Sequence, residues 1–248
     1  MAGRDRKDTA LAVPAAAARL AGPRETRKPR NLKFCAPEVA TVTENQDRNG
    51  QHQPWDESYT GETPAPWDIG RPQPAFVRLA DEGRLAGRVL DSGCGTGENA
   101  LLAASRGADV TGIDLAPTAI ARARAKAAER GLAVRFDVGD ALDLSSLGVD
   151  VVDTVIDSGV FHVFDDEDRA RYVTSLGAVL RPGGRCYLMC FSDQQPGDWG
   201  PRRVRADELR AAFRDEWAVE SISADAFEIN PIGGTTQAQA WLATIRRG

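Results

Sequence analysis

No run of about 18 apolar residues occurs in this 248-residue sequence, so no segment is expected to span a membrane. Cysteine is scarce: Cys35, Cys94, Cys186 and Cys190 are the four, and their spacings match no zinc pattern. No metal site is expected. Cys186 and Cys190 lie four apart in an apolar run that reads as a buried strand, which puts both on one face. They read as small buried residues in a reducing cytosol, with a redox or metal role as the alternative, and the chain is expected to be cytoplasmic. Positive charge is not in excess either, since the net charge is -5. That balance, without a recognisable RNA-binding module, argues against a nucleic-acid partner, although a basic patch on an acidic protein is compatible with it. The hydrophobic fraction of 42% and charged fraction of 27% are those of an ordinary soluble protein.

Residues 1–49 differ from the rest. They are rich in Ala, Arg, Lys and Pro and show no sustained helical or strand period, so they read as a disordered basic tail. The stretch "ALAVPAAAARLA" is too weakly apolar, and too interrupted by Pro14 and Arg19, for a secretory signal. An Arg- and Ala-rich start has some likeness to an organelle transit peptide, the weaker reading. Residues 50–248 are expected to form one domain, with 50–86 as an N-terminal aromatic lid and 87–248 as the core.

In that core, short apolar runs alternate with helical patterns. "RVLD", "DVTGIDL", "AVRFDVGD", "VVDTVIDSGV" and "RCYLMCFS" read as strands. "VRLADEGRLAG", "NALLAASRG", "PTAIARARAKAAERG", "DDEDRARYVTSLGAVLRPGG" and "ADELRAAF" read as helices, with Pro117 opening one and Gly107 and Gly131 closing two. "WAVESISADAFEI" and "QAQAWLATIR" read as a closing hairpin around "NPIGGTT". The alternation predicts a doubly wound, Rossmann-like α/β fold with a mostly parallel sheet, which binds ligands at the C-terminal ends of its strands.

The first such end is "DSGCGTGE", Asp91 to Glu98. Its spacing is Gly-x-Gly-x-Gly, and the dinucleotide fingerprint's third glycine is replaced by Glu98. A phosphate-cradling Lys followed by Ser or Thr is absent too. Glu98 and Asp91 beside the loop are expected to repel a pyrophosphate, so a cationic or zwitterionic ligand fits better. Gly93 and Gly95 let the backbone lie against an adenosine or an amino-acid tail, and Asp91 can take up an α-ammonium directly or through water. Asp114, seventeen residues beyond Gly97, ends the next strand, where a carboxylate accepts from both ribose hydroxyls. Leu115 follows it. Asp140 with the Ala141 amide can meet an adenine edge, and Asp157 ends the fourth strand at the sheet's centre.

Taken in order, "VLDSGCGTG", "VTGIDL", "VGDAL" and "DTVIDSGVF" resemble the successive motifs of class I S-adenosylmethionine-dependent methyltransferases. The resemblance covers roughly Trp55 to the C-terminus. It implies a seven-stranded sheet with the last strand antiparallel and S-adenosylmethionine as cofactor. The segment "WDESYTGETPAPWDIGRPQP" resembles the thiopurine- and thiol-methyltransferase-like branch, with a closer likeness to bacterial small-molecule methyltransferases. Ser158 stands where the thiopurine enzymes carry an arginine, which removes support for their particular acceptor.

Trp55 and Tyr59 are one helical turn apart and share a face, with Trp67 in the loop that follows. They read as a lid over the core, as contacts to sulfonium or acceptor, or as both. The acceptor is expected beyond Asp157, against Trp67, Phe161, His162, Phe164, Trp199 and Arg203. His162, with Asp157, is the candidate catalytic group: a general base for a phenol or amine, or else a satisfied structural histidine. Arg202 and Arg203 are a solvated pair or an anion clamp. The expected activity is in-line methyl transfer to a small thiol, phenol or heterocyclic amine. A nucleic-acid or protein methyltransferase is the first alternative, but the Asn/Asp-Pro-Pro-aromatic turn of those families is replaced by Asp157-Ser158-Gly159-Val160. A nicotinamide oxidoreductase and a non-catalytic cofactor-binding protein are the others.

Overall fold

The structure is a computed structural model that describes residues 55–61 and 63–248. The expected basic tail, 1–49, and Cys35 lie outside the described residues. A 3-10 turn, Trp55–Tyr59, leads through a loop to α1 (Pro74–Asp81). Then come β1 (Arg88–Ser92), α2 (Glu98–Ser105), β2 (Asp109–Asp114), α3 (Pro117–Glu129) and β3 (Val134–Val138). A 3-10 segment, Ala141–Leu147, precedes β4 (Val152–Ser158) and α4 (Asp166–Val179). The chain closes with β5 (Leu180–Phe191), α5 (Ala206–Ala212), β6 (Trp217–Ile232) and β7 (Thr235–Arg247).

The strands form one sheet in the order β3-β2-β1-β4-β5-β7-β6. Strands β1 to β5 are parallel, and β7 runs antiparallel to both β5 and β6. This is the Rossmann-like sheet that the alternation and the resemblance predict. The reversal of direction of winding between β1 and β4 puts a crevice beside the C-terminal ends of those strands.

Two apolar layers sandwich the sheet. Phe76 of α1, Leu101 of α2 and Ile120 of α3 pack on one face with Ile156 and Met189. Tyr172 of α4 and Leu209 of α5 pack on the other with Val155 and Leu188. Adjacent strand residues thus serve opposite layers, as the two-residue period demands. Cys186 and Cys190 both face the second layer as buried free thiols.

Helix boundaries follow local chemistry. α1 begins three residues before the expected Val77, because Pro74 takes the first helical position, where a missing N–H costs nothing. It stops short of Gly87, at a turn through Gly83. α4 has the expected acidic first turn and the Asp165 carboxylate accepting from the Asp168 N–H at 2.9 Å. The Arg-Pro-Gly-Gly stop after it loops out between Leu180 and Arg185, which pair with Val152 and Thr154 of β4. No helix among the described residues is long and apolar enough to cross a membrane.

Candidate active site

The glycine loop joins β1 to α2, and three glycines take left-handed φ: Gly93 at 64°, Gly95 at 53° and Gly97 at 86°. Close approach also demands them. A Cβ on Gly93 would lie 2.2 Å from Val160 Cγ2, and one on Gly97 would lie 2.8 Å from the Phe136 ring. The loop is braced by Asp114, whose Oδ2 accepts from the Gly95 N–H at 2.7 Å and whose Oδ1 accepts from the Ala116 N–H at 2.9 Å. Burial raises the Asp114 pKa, opposed by those two N–H groups. A carboxylate has about four lone-pair sites, so two remain for hydroxyl donors.

Asp91, one residue inside the end of β1, is 1% exposed, and both of its carboxylate oxygens lack a hydrogen-bond partner. Burial pushes its pKa up to about 8; the nearby Ala100 N–H offsets little, and Asp114 and Asp157 add to the rise. An unpartnered buried carboxylate beside a glycine cradle fits an ammonium group. Asp140 is part-used: its Oδ1 accepts from the Leu142 N–H at 2.9 Å, capping the 3-10 segment that starts at Ala141. Leu115 and Val138, at the ends of β2 and β3, are exposed apolar surface suited to a flat ring. These residues fit S-adenosylmethionine, with Asp91 for the α-ammonium, Asp114 for the ribose, and Leu115, Val138 and Asp140–Ala141 for the adenine.

Glu98 requires a correction. It does not face the mouth of the loop. Its carboxylate turns to α3, where Lys126 and Arg130 hold it at 2.8 Å each. Burial works to raise its pKa, but those partners win and keep it below the usual range. The expected repulsion of a pyrophosphate by Glu98 therefore has no basis in the structure.

The aromatic segment lies over the loop. Tyr59 Oη accepts from Trp67 Nε1 at 2.9 Å and stands close enough to Gly95 that a Cβ there would lie 3.0 Å away. Trp55 and Trp67 meet edge to face with ring centroids 5.8 Å apart, and Trp67 remains 44% exposed. The lid's anchors went unread in the sequence. Asp56 accepts from the Thr118 N–H at 2.7 Å and the Thr118 hydroxyl at 3.0 Å, capping α3 from outside. Asp68 accepts from the Thr96 hydroxyl at 2.7 Å. The Gln73 amide pairs with both the N–H and the carbonyl of Glu228, and Asn230 Nδ2 donates to the carbonyls of Ala65 and Asp68. The motif "WDIGRPQP" contains Asp68 and Gln73, but nothing in it names their partners.

Beyond β4, the expected residues divide. Asp157 is fully buried, and its two oxygens accept from the Val160 and Phe161 N–H groups at 2.7 and 3.1 Å. It holds the turn that places Val160 on the glycine loop, so the structure gives it a positioning role. Burial raises its pKa to about 7 against the pull of those donors. Phe161 is also no pocket wall: it packs on Phe213 at 5.8 Å, under the Arg169 guanidinium. Phe164 packs on Tyr172 at 5.2 Å in the same layer. Arg203 donates to the carbonyls of Gln195, Gly197, Trp199 and Pro201, so it staples its loop rather than clamping an anion. Arg202 pairs with Asp166 and Glu208.

His162 stays beside the site, in a cluster that includes two rings unread in the sequence, Phe191 and Phe227. Its ring meets Phe191 at 5.1 Å and Phe227 at 5.9 Å, and Trp199 meets Phe191 at 5.7 Å. A general-base role is contradicted: Nδ1 accepts from the Phe191 N–H at 2.9 Å, so its lone pair is taken. Burial, then the charges of Arg169 and Arg203, lower the His162 pKa to about 3. Gly159 links this cluster to the loop, since Val160 touches Gly93 while Phe227 and His162 approach Gly159.

Residues 89–184 match a family described as a methyltransferase domain. The chain is 40% identical over 179 residues to a 2-heptyl-1-hydroxyquinolin-4(1H)-one methyltransferase of Mycobacteroides abscessus, covering 68% of this chain and 78% of that one. It is 29% identical over 156 residues to a probable thiol methyltransferase 2 of Arabidopsis thaliana, 62% of this chain and 68% of the relative. A solved structure described under "Conversion of a Disulfide Bond into a Thioacetal Group during Echinomycin Biosynthesis" superposes with a TM-score of 0.69 at 41% identity, covering 78% of this chain and 89% of that one. With its strand-end acids, glycine loop and these relatives, the chain belongs to the class I S-adenosylmethionine-dependent methyltransferases that act on small molecules.

Proposed function

We infer that the acceptor lies against Phe191, Trp199 and Phe227, across Val160 from the cofactor seat, and that positioning and desolvation supply most of the rate. One observation carries this reading. The turn Asp157–Phe161 touches the glycine loop through Val160 and the ring cluster through Gly159. Donor seat and aromatic wall are therefore neighbours.

S-adenosylmethionine, when bound, supplies an electrophilic methyl group on a sulfonium. Asp91 and Asp114 hold its two polar ends, and Trp55, Tyr59 and Trp67 cover it. An aromatic face beside a sulfonium contributes about 0.5–2 kcal/mol. Reactants aligned at about 3–3.5 Å gain about 7–11 kcal/mol over the bimolecular reaction, and the rings strip water from the nucleophile. No base is needed for an acceptor already ionised near neutral pH. The relatives named for a hydroxyquinolone and for thiols support acceptors of that kind.

Of the described residues, 55–61 and 63–86 serve in this reading as the lid segment and 87–248 as the core of a cytoplasmic enzyme. The net charge of -5 supports the absence of a nucleic-acid partner. Calorimetry tests the cofactor seat: Asp114→Ala is expected to weaken S-adenosylmethionine binding at least about 100-fold, because it removes the ribose contacts and the brace of the loop together. Undiminished affinity overturns the assignment. Labelled-methyl transfer to a panel of thiols, phenols and N-hydroxy heterocycles tests the acceptor class. Transfer to RNA alone would favour the nucleic-acid alternative.

A further inference from the structure

We propose that His162 reads the acceptor: its Nε2–H donates to an oxygen on a planar aromatic acceptor held in the cluster of Phe191, Trp199 and Phe227. This rests on the small-molecule reading above and names the acceptor's chemistry.

The proton's position follows from geometry. A backbone N–H can only donate, and the Phe191 N–H points at Nδ1 at 2.9 Å. Nδ1 is therefore the acceptor, and the neutral ring carries its proton on Nε2. Nε2 makes no hydrogen bond among the described residues and faces Gly159, where a Cβ would lie 3.3 Å from it. Gly159 is the residue next to Val160, which rests on the glycine loop, so Nε2 lies beside the turn that borders the donor seat. His162 is 7% exposed, and its Nε2 is not among the fully buried unpartnered atoms, so the N–H stays open to a guest. The surroundings select that partner. Arg169 and Arg203 are both cationic and disfavour a positive charge on the ring. They favour an acceptor that brings a lone pair or a negative oxygen. The walls are rings set edge to face, which suits a flat aromatic guest. Trp199 is the partly exposed wall and marks the side of entry.

In the transfer step His162 neither takes nor gives a proton. The acceptor hydroxyl loses its proton to water. Its oxygen lone pair forms the new bond to the methyl carbon, and the sulfur–carbon bond breaks with its pair left on sulfur as the thioether product. The Nε2–H lowers the acceptor's own pKa and orients it.

The experiment compares wild type, His162→Gln and His162→Phe, with 2-heptyl-1-hydroxyquinolin-4(1H)-one and thiophenol as probe acceptors. Gln retains an N–H donor but cannot act as a base; Phe fills the space with neither. The ratio of kcat/KM for the oxygen probe over the sulfur probe is expected to fall about 10- to 100-fold in His162→Phe and to be largely restored in His162→Gln. An unchanged ratio in the Phe variant, or a Gln variant as impaired as Phe, overturns the proposal. If the Phe variant does not fold, the wild type decides. The 15N imidazole signals are expected to show a neutral Nε2–H ring down to about pH 5 that shifts when the hydroxyquinolone is added. A ring that titrates near its ordinary value, or ignores the probe, overturns it. A chain that binds S-adenosylmethionine yet methylates neither probe contradicts the small-molecule reading itself, and this inference with it. An active chain whose selectivity ignores His162 contradicts the inference alone.

Discussion

Asp91 shows what burial does to a single carboxyl group. Its folded pKa of about 8 stands far above its ordinary 3.8, so between those values the folded chain holds a proton that the unfolded chain has lost. Stability therefore falls as pH rises through that window. Asp91→Asn is expected to raise the melting temperature of the cofactor-free protein by about 5 °C at pH 8, with little gain near pH 4, while weakening cofactor binding. The same residue predicts proton release. An ammonium requires the ionised carboxylate, so calorimetry at neutral pH in buffers of different ionisation heat should show close to one proton released, a signal absent from the Asn variant. Gly93 offers a steric counterpart: Gly93→Ala meets Val160 and a φ of 64°, and is expected to lower cofactor affinity at least about tenfold. Gly93→Ala combined with Val160→Ala should recover part of that loss, since the second change removes the clash but not the strained φ. Asp91, Gly93, Gly95 and Asp114 were legible because strand-end acids and a glycine loop have fixed offsets. His162 was legible as a candidate but its tautomer was not, since the Phe191 N–H that fixes it lies 29 residues away.

At the scale of elements, the lid is held by contacts that no local pattern encodes. Asp56 caps α3 across 62 residues. Asp56→Ala is expected to cost about 1 kcal/mol, to expose the first turn of α3 to hydrogen exchange, and to raise the cofactor KM more than stability alone explains. The loop Gln195–Pro201 is organised from within by Arg203. Arg203→Met should release Trp199 and raise the acceptor KM about tenfold, with cofactor affinity by calorimetry as the comparison; an equal loss of both would point to global damage instead. Helices and strands themselves could be read from Pro117, Gly107, Gly131 and the apolar periods. Phe227 could not. It sits on a strand whose neighbours give no chemical hint, and only the pairing of β6 with β7 brings it to the site.

For the whole molecule, the alternation of strands and helices was enough to give the fold, because parallel strands need covered faces and crossover helices. The sheet order at the C-terminal side was a consequence of the resemblance, not of periodicity. There, β7 lies between β5 and β6, so deleting residues 235–248 removes an inner strand. The truncated chain is expected to be insoluble on expression, with β5 and β6 each left as an unpaired edge. That placement also sets a timetable for synthesis on the ribosome. The residues of the donor seat, from Asp91 to Asp140, are made well before those of β7, and β6 with its Phe227 and its hold on Gln73 cannot dock until β7 exists. The growing chain therefore acquires the parts proposed to grasp a methyl donor before it acquires the wall proposed for the acceptor.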